Sequence, residues 1–388
     1  MLPTTTCLPA ATAAKPYFPA LTGLRAIAAW LIFFYHTNPF APDGLADRIV
    51  SEFHVGVTLF FVLSGFLICV RYGGQIELSW RWFREYVLRR FARIYPLYFL
   101  LTCLFFTVQQ LVPRYDTEGL YTISSASGRV LIIGMNLTLL RSWFADFRFT
   151  GISTGWTLTV EEFFYLVAPF LVLGLAHRLA RLPLYTVGLV AIGCGLVALP
   201  TSWHPFGFFI GYKYMMSATF FGRCFEFLGG ITLGLLVLRN AAVLSWLAKR
   251  ISCTTWGIIW VATCIGLLLT MRALPALVHT LPWGPDFTDW VRIFLNNVLL
   301  VPGICLVLYG LIHEPSRLRG LLGSRMFDLF GKASYALYLI HIGVIDEFLK
   351  FHITTNLLAR FIIANILAIA LYKGIERPLY RRLVPRRS

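Results

Sequence analysis

Arg25 and His36 stand eleven residues apart inside the apolar run LTGLRAIAAWLIFFYHT, residues 21–37. On a helix that spacing returns both side chains to within about 20° of one face, with about 16 Å of axial rise between them. A charge at the centre of a bilayer helix costs about 2.5–3.5 kcal/mol even on insertion scales, so polar groups kept on one stripe of a span mark a candidate site. The structural alternative is that Arg25 snorkels to headgroups and His36 is a hydrogen-bonded packing residue. A second group lies in WTLTVEEFFYL (156–166), where Thr157, Glu161 and Glu162 open another apolar run. A carboxylate beside an imidazole fixes its tautomer and stabilises the imidazolium, as general-base chemistry requires. Without such a partner the two glutamates read as an interfacial pair favoured by a helix N-terminus. In KASYALYLIHIGV, Ser334, Tyr338 and His341 recur at i, i+4 and i+7 and share one helical face. That stripe either joins helices by hydrogen bonds or lines a polar path. Finally, WRWFREYVLRRFARIYPLYF (80–99) interleaves Arg84, Arg89, Arg90 and Arg93 with aromatic residues. It reads as a surface helix drawn to anionic lipid or, through Arg90 and Arg93 at i, i+3, as a guanidinium pair suited to a phosphorylated cofactor.

Membrane-spanning helices must position these groups. The chain has 388 residues, is 58% hydrophobic and 13% charged, and has a mean hydropathy of +0.72. Soluble domains are about 25% charged, so the fold class is an all-α polytopic membrane protein. The net charge of +16 sits in short basic clusters between apolar runs, which argues topology and no nucleic-acid partner. Cys7, Cys69, Cys103, Cys194, Cys224, Cys253, Cys264 and Cys305 are scattered without a metal or redox spacing and read as small core residues. The histidines lack ligand spacing such as HExxH, so no metal is expected. The spaced glycines of GVTLFFVLSG read as helix contacts rather than a phosphate cradle.

Apolar runs near 19–38, 52–71, 94–112, 157–176, 184–200, 216–238, 255–272, 290–312, 328–349 and 355–375 predict about ten transmembrane helices. If the short run at 129–144 does not cross, the basic loops at 71–93, 177–182, 239–250, 313–325 and the tail all fall on one side, while Asp43, Asp47, Glu52, Asp116, Glu118, Asp286 and Asp289 fall on the other. Residues 129–144 are therefore expected to be re-entrant or interfacial, and both termini cytoplasmic. Arg25 then lies in the cytoplasmic half, and His36, Glu161, Glu162 and His341 in the outer half. Residues 1–388 read as one integral-membrane domain, with 1–16 a flexible tail without a cleaved signal and 377–388 a basic cytoplasmic tail.

The ordered set RAIAAWLIFFYH, GVTLFFVLSGFLI (56–68), RRFARIYPLYF (89–99), WTLTVEEFFYL, SYALYLIH (334–341) and ERPLYRR (376–382) covers nearly the whole chain. In it the sequence resembles the integral-membrane acyltransferase 3 family, bacterial enzymes that move acyl groups from a coenzyme A thioester to hydroxyls of surface glycans, lipids or secondary metabolites. The resemblance implies His36 as catalytic base, Arg25 as its motif partner, Arg90 and Arg93 as the basic pair facing the donor, and Glu161 as the carboxylate of a Ser-Leu-x-x-Glu pattern. Two departures stand out: Thr157 replaces the serine, and Phe163 replaces a glutamine. Thr157, Glu162, Ser334, Tyr338 and His341 are assigned to the channel or acceptor side.

The expected reaction is transfer of an acyl group, acetyl by resemblance, from cytoplasmic acyl-CoA to a hydroxyl. The acceptor belongs to an exopolysaccharide, a lipopolysaccharide, another lipid-linked glycan or a small molecule. Acyl-CoA is a substrate, and no tightly bound cofactor is expected. His36, oriented by Glu161, either deprotonates the acceptor or carries the acyl group itself. The resemblance places the enzyme in the bacterial inner membrane among its lipids. Any esterase-like step would need a separate periplasmic partner. The competing class is a transporter or flippase of a surface glycan or lipid, because intramembrane Arg, Glu and His also serve proton relays.

Overall fold

The structure, a computed structural model, describes residues 17–384 apart from 43, 117–118 and 274–283. The expected tail at 1–16 with Cys7, together with Asp43, Glu118 and the last four residues of the basic tail, lies outside the described residues, as does the side chain of Asp286. The principal helices are α1 (Pro19–His36), α2 (Val55–Tyr72), α3 (Trp80–Leu111), α4 (Ala126–Leu137), α5 (Trp156–His177), α6 (Leu182–Val197), α7 (Phe220–Leu238), α8 (Cys253–Ala273), α9 (Leu300–His313), α10 (Arg325–Ile340), α11 (Val344–His352) and α12 (Leu357–Leu371). A π-helical segment, Leu295–Leu299, leads into α9, and another, Tyr372–Glu376, follows α12.

Among the described residues eight helical runs are long and apolar enough to cross a membrane. They coincide with eight of the ten apolar runs. The other two runs form α1 and α10, which are shorter and carry Arg25 and the Ser334–Tyr338 stripe. These two helices pack directly on each other. A Cβ at Gly331 would strike the backbone carbonyl of Thr22, so the absence of a side chain lets the backbones touch. The same device joins α2 to α7, where Gly65 faces the Phe227 carbonyl and Gly230 faces that of Val62. This bears out the helix-contact reading of GVTLFFVLSG. Ring stacking completes the joints. Phe227 stacks on Phe61 at 4.6 Å and on Phe164 at 4.2 Å, tying α2, α5 and α7. Trp30 packs on Phe327, Phe330 and Phe361 and donates its indole N–H to Asn365 at 2.9 Å, tying α1, α10 and α12.

Four sequence expectations change. The run at 328–349 is not one helix: α10 stops at Ile340, and Gly343, at φ 80°, makes the left-handed turn into α11. Residues 80–99 are no separate surface helix, because α3 is continuous for 32 residues, about 48 Å, through Pro96. Its Arg-rich start packs on the bundle through Trp82 and Tyr86, with Arg81 and Arg84 left exposed. Cys103 is exposed on α3 rather than a core residue, whereas Cys69, Cys224, Cys253 and Cys264 are buried. The fourth concerns the level of Glu161 and is taken up with the site. At 129–144 the 12-residue α4 rises only about 18 Å, too short to cross about 30 Å of hydrocarbon alone. It ends in Leu139 at φ 56° and short 3-10 turns. Buried Arg141 ties that irregular backbone down, donating to Asn136 Oδ1 at 2.6 Å and to the carbonyls of Thr150 and Ile152. Irregular backbone at such a place requires protein partners of this kind.

The bundle has two unlike ends. At one, where α1 begins, the basic loops gather: Gly23 abuts Leu322, and Arg239 donates to the Ala176 carbonyl. At the other, where α1 finishes at His36, Asp47 accepts from Asn38 at 2.7 Å, Glu52 faces Arg292 at 3.9 Å, and Asp289 accepts from Lys213 at 2.8 Å.

Candidate functional site

α1 and α10 run parallel, so their polar stripes face each other at matching levels. Arg25 Nε donates to Ser334 Oγ at 3.4 Å near one end, and His36 meets His341 at the other. The contact between the two imidazoles decides their tautomers. His341 Nδ1 lies 2.8 Å from the Tyr338 carbonyl, which can only accept, so Nδ1 carries the proton and Nε2 of the neutral ring is an acceptor. His36 Nδ1 lies 3.1 Å from that Nε2 and 3.0 Å from the Ile32 carbonyl. Both neighbours accept, so His36 is protonated at Nδ1 and leaves Nε2 with a free lone pair. His341 is 1% exposed, whereas His36 lines a cavity of about 830 Å³. The arrangement is a buried imidazole orienting an accessible one whose Nε2 lone pair is able to accept a proton.

Helix ends and the turns at 148–154 and 342–343 build the cavity wall. Thr157 Oγ1 and the Tyr338 hydroxyl are 2.7 Å apart, and the Tyr338 hydroxyl lies 3.1 Å from the Thr154 carbonyl. This pins the start of α5 beside α10, just below His341. Tyr35, Arg148, Trp156, Tyr214 and Arg223 add to the lining. The wall mixes rings with hydrogen-bonding groups, a composition suited to a sugar-like ligand more than to a lipid tail.

Glu161 does not orient His36. α5 runs antiparallel to α10, so one turn beyond Thr157 its side chains have descended about 6 Å, to the level of Ser334 and Arg25. There Glu161 Oε1 accepts from Ser64 Oγ at 2.6 Å and from the Tyr165 hydroxyl. Arg25 is within electrostatic reach of Glu161, Arg93 and Glu376. Glu162 lies beside Arg90, with one carboxylate oxygen buried and without a hydrogen bond. Both glutamates thus belong to the Arg25 half rather than the His36 half, a correction of their expected level.

Arg90 and Arg93 differ. Arg90 is buried, donates to the Tyr72 hydroxyl at 2.7 Å, and sits over the rings of Tyr72 and Tyr165 at 5.0 and 5.7 Å. Arg93 is half-buried, and with Arg71 and Arg90 forms one basic cluster. Arg71, Glu376 and Tyr72 were not foreseen as members of it, although Glu376 opens the ERPLYRR motif. At the His36 end sequence reasoning also missed Arg148 and the Arg223–Glu226 pair, joined at 2.6 and 2.7 Å. Only the latter had a local signal, its i, i+3 spacing on a helix. Among the described residues no group of three or more His, Cys, Asp or Glu side chains is arranged to hold a metal.

The bundle of apolar helices thus carries an imidazole pair on the wall of a cavity at one end of its polar stripe and a guanidinium cluster at the other. The chain belongs to the Acyl_transf_3 family, whose acyltransferase domain matches residues 18–372. It is 28% identical over 384 residues to YrhL of Bacillus subtilis, named as a candidate peptidoglycan O-acetyltransferase, with 94% of this chain and 55% of that protein covered. It is 24% identical over 382 residues to the O-acetyltransferase OatA of Staphylococcus aureus, covering 94% of this chain and 58% of that protein. The chain thus spans a little over half the length of these relatives. No solved structure matches it.

Proposed function

We propose that this chain is a membrane O-acyltransferase that moves an acetyl group from acyl-CoA to a hydroxyl of a cell-surface glycan. The observation that carries the reading is His36 Nδ1 held between the Ile32 carbonyl and His341 Nε2 on the wall of the cavity, in a chain of the acyltransferase family. The acceptor hydroxyl approaches His36 Nε2 from the cavity. As its oxygen attacks the thioester carbonyl carbon, His36 takes the proton. The carbon–sulfur bond then breaks, and the proton passes to the departing thiolate. Each proton gain on His36 is met by its Nδ1–H bond to His341, which strengthens as the ring becomes cationic.

The donor enters from the Arg25 end, where Arg71, Arg90 and Arg93 form a site for its phosphates and Arg25 and Ser334 line the way inward. Its reach to His36 is the rise of about 16 Å along α1, on the order of what four or five extended peptide residues cover. In this orientation the basic end faces the cytoplasm of a bacterial inner membrane and the cavity faces outward. Acetyl rather than a longer acyl group is favoured by the names of the two relatives, which also favour a glycan acceptor.

The test is purified full-length protein in lipid nanodiscs, given labelled acetyl-CoA and a crude surface-glycan fraction. Label should pass to the glycan with wild type and not with His36→Ala. Movement of unmodified glycan across vesicles without label transfer would favour a flippase.

A further inference from the structure

Each lysine and arginine on the cavity wall but one faces a carboxylate. Lys213 is 2.8 Å from Asp289, Arg223 chelates Glu226, and Arg292 lies 3.9 Å from Glu52. Asp346 is held from behind by Arg360, whose Nε and Nη2 lie 3.1 and 2.6 Å from Oδ1. Arg148 has no carboxylate or hydrogen-bond acceptor among the described residues, and its Nε is buried without a partner. Its guanidinium is instead fixed by rings, 4.5 Å from the centroid of Trp156, 4.6 Å from Phe149 and 5.8 Å from Tyr214. Stacking of this kind orients the planar fork while leaving its in-plane N–H groups free.

We propose that Arg148 is an anion-recognition residue of the acceptor cavity, so that the acceptor is an acidic sugar whose carboxylate or phosphate docks on it while a neighbouring hydroxyl faces His36. This rests on the acyltransferase reading for its second clause only. A pre-oriented, partly desolvated guanidinium is the group best matched to a planar or tetrahedral oxyanion. Glu347, also on the wall, forms no ion pair within 4 Å among the described residues. It disfavours a second negative charge on the α11 side and accepts from sugar hydroxyls there, which fixes the direction in which an acidic sugar lies.

The experiment measures equilibrium binding calorimetrically to the full-length protein in nanodiscs, using two matched probe pairs: trigalacturonate with its carboxyl-reduced form, and a maltotriose phosphate with maltotriose. Wild type should bind the charged member of one pair about tenfold or more tightly, as loss of a charge-assisted contact predicts. Which pair shows the preference tells carboxylate from phosphate. Arg148→Gln should bring both pairs to near-equal affinity with an unchanged unfolding temperature. Arg148→Lys, which keeps the charge but not the fork, should retain an intermediate preference. No preference in either pair, or one that survives in Arg148→Gln, overturns the proposal. A preference for the acidic sugar without any labelled acetyl transfer would leave the anion site standing and overturn the acyltransferase reading alone.

Discussion

The two ends of the polar stripe handle charge in opposite ways. At the His36 end most charged groups are paired side by side, as in Arg223–Glu226, Asp346–Arg360 and Lys213–Asp289, and an open cavity lies between them. At the Arg25 end Arg25, Arg71, Arg90 and Arg93 gather near Glu161, Glu162 and Glu376, and among the described residues none of these forms an ion pair within 4 Å. Neutral pairs make a rigid wall that recognises shape and hydrogen bonds. Unpaired cations close together repel one another, and that repulsion is relieved when a polyanion arrives. Under the proposed function, the paired end takes the acceptor hydroxyl and the cation-rich end takes the phosphates of the donor.

The largest expected break comes at the imidazole. His36→Ala should lower transfer by a factor of about 10²–10⁴ with the protein still inserted and folded, measured as labelled acetyl on the acceptor. Near-normal turnover would end its role as base. In wild type the rate should rise with pH as imidazole loses its proton and then level off. A profile that falls over the same range would mean that His36 acts as an acid in the limiting step.

A smaller effect is expected at His341, which touches no substrate. His341→Ala should reduce kcat about tenfold, the worth of one charge-assisted hydrogen bond, with the acceptor KM little changed. It should also move the pH profile, since His36 Nδ1 then keeps the Ile32 carbonyl but loses the His341 acceptor that stabilises its cationic form. An unchanged profile would make His341 a packing residue. At the opposite end, Arg93→Ala should weaken acetyl-CoA binding about tenfold while leaving acceptor binding as it is. Arg90→Ala should do the same and also lower the unfolding temperature, because Arg90 is buried against Tyr72 and Tyr165. Equal donor affinity in both variants would assign the segment to lipid contact. The smallest change is expected from Glu161→Gln. It should alter donor affinity and leave the pH profile set by His36 in place, whereas a shifted profile would restore the carboxylate to the base.

What could be read from the sequence is what depends on one helix at a time. Hydropathy located the apolar helices, though not the break after Ile340 within 328–349, and the 3.6-residue period set Arg25 with His36 and Ser334 with Tyr338 and His341. What could not be read is vertical offset between helices. Nothing in WTLTVEEFFYL says that Thr157, rather than Glu161, stands beside Tyr338, and one turn of difference moves the carboxylates from the base to the arginine cluster. Arg148 was invisible for a related reason. Its ring frame joins Trp156 at the start of α5 to Tyr214 more than fifty residues on, and only the folded loops bring them together.

The central claim is that donor and acceptor meet from opposite ends of one stripe. Sealed vesicles, oriented with the basic loops inside, can be loaded with labelled acetyl-CoA and offered a membrane-impermeant acceptor outside. The account predicts label on the external acceptor, its loss in His36→Ala, and no label when the same donor is supplied only outside. Equal labelling from external donor would contradict it, and donor and acceptor would then share one end.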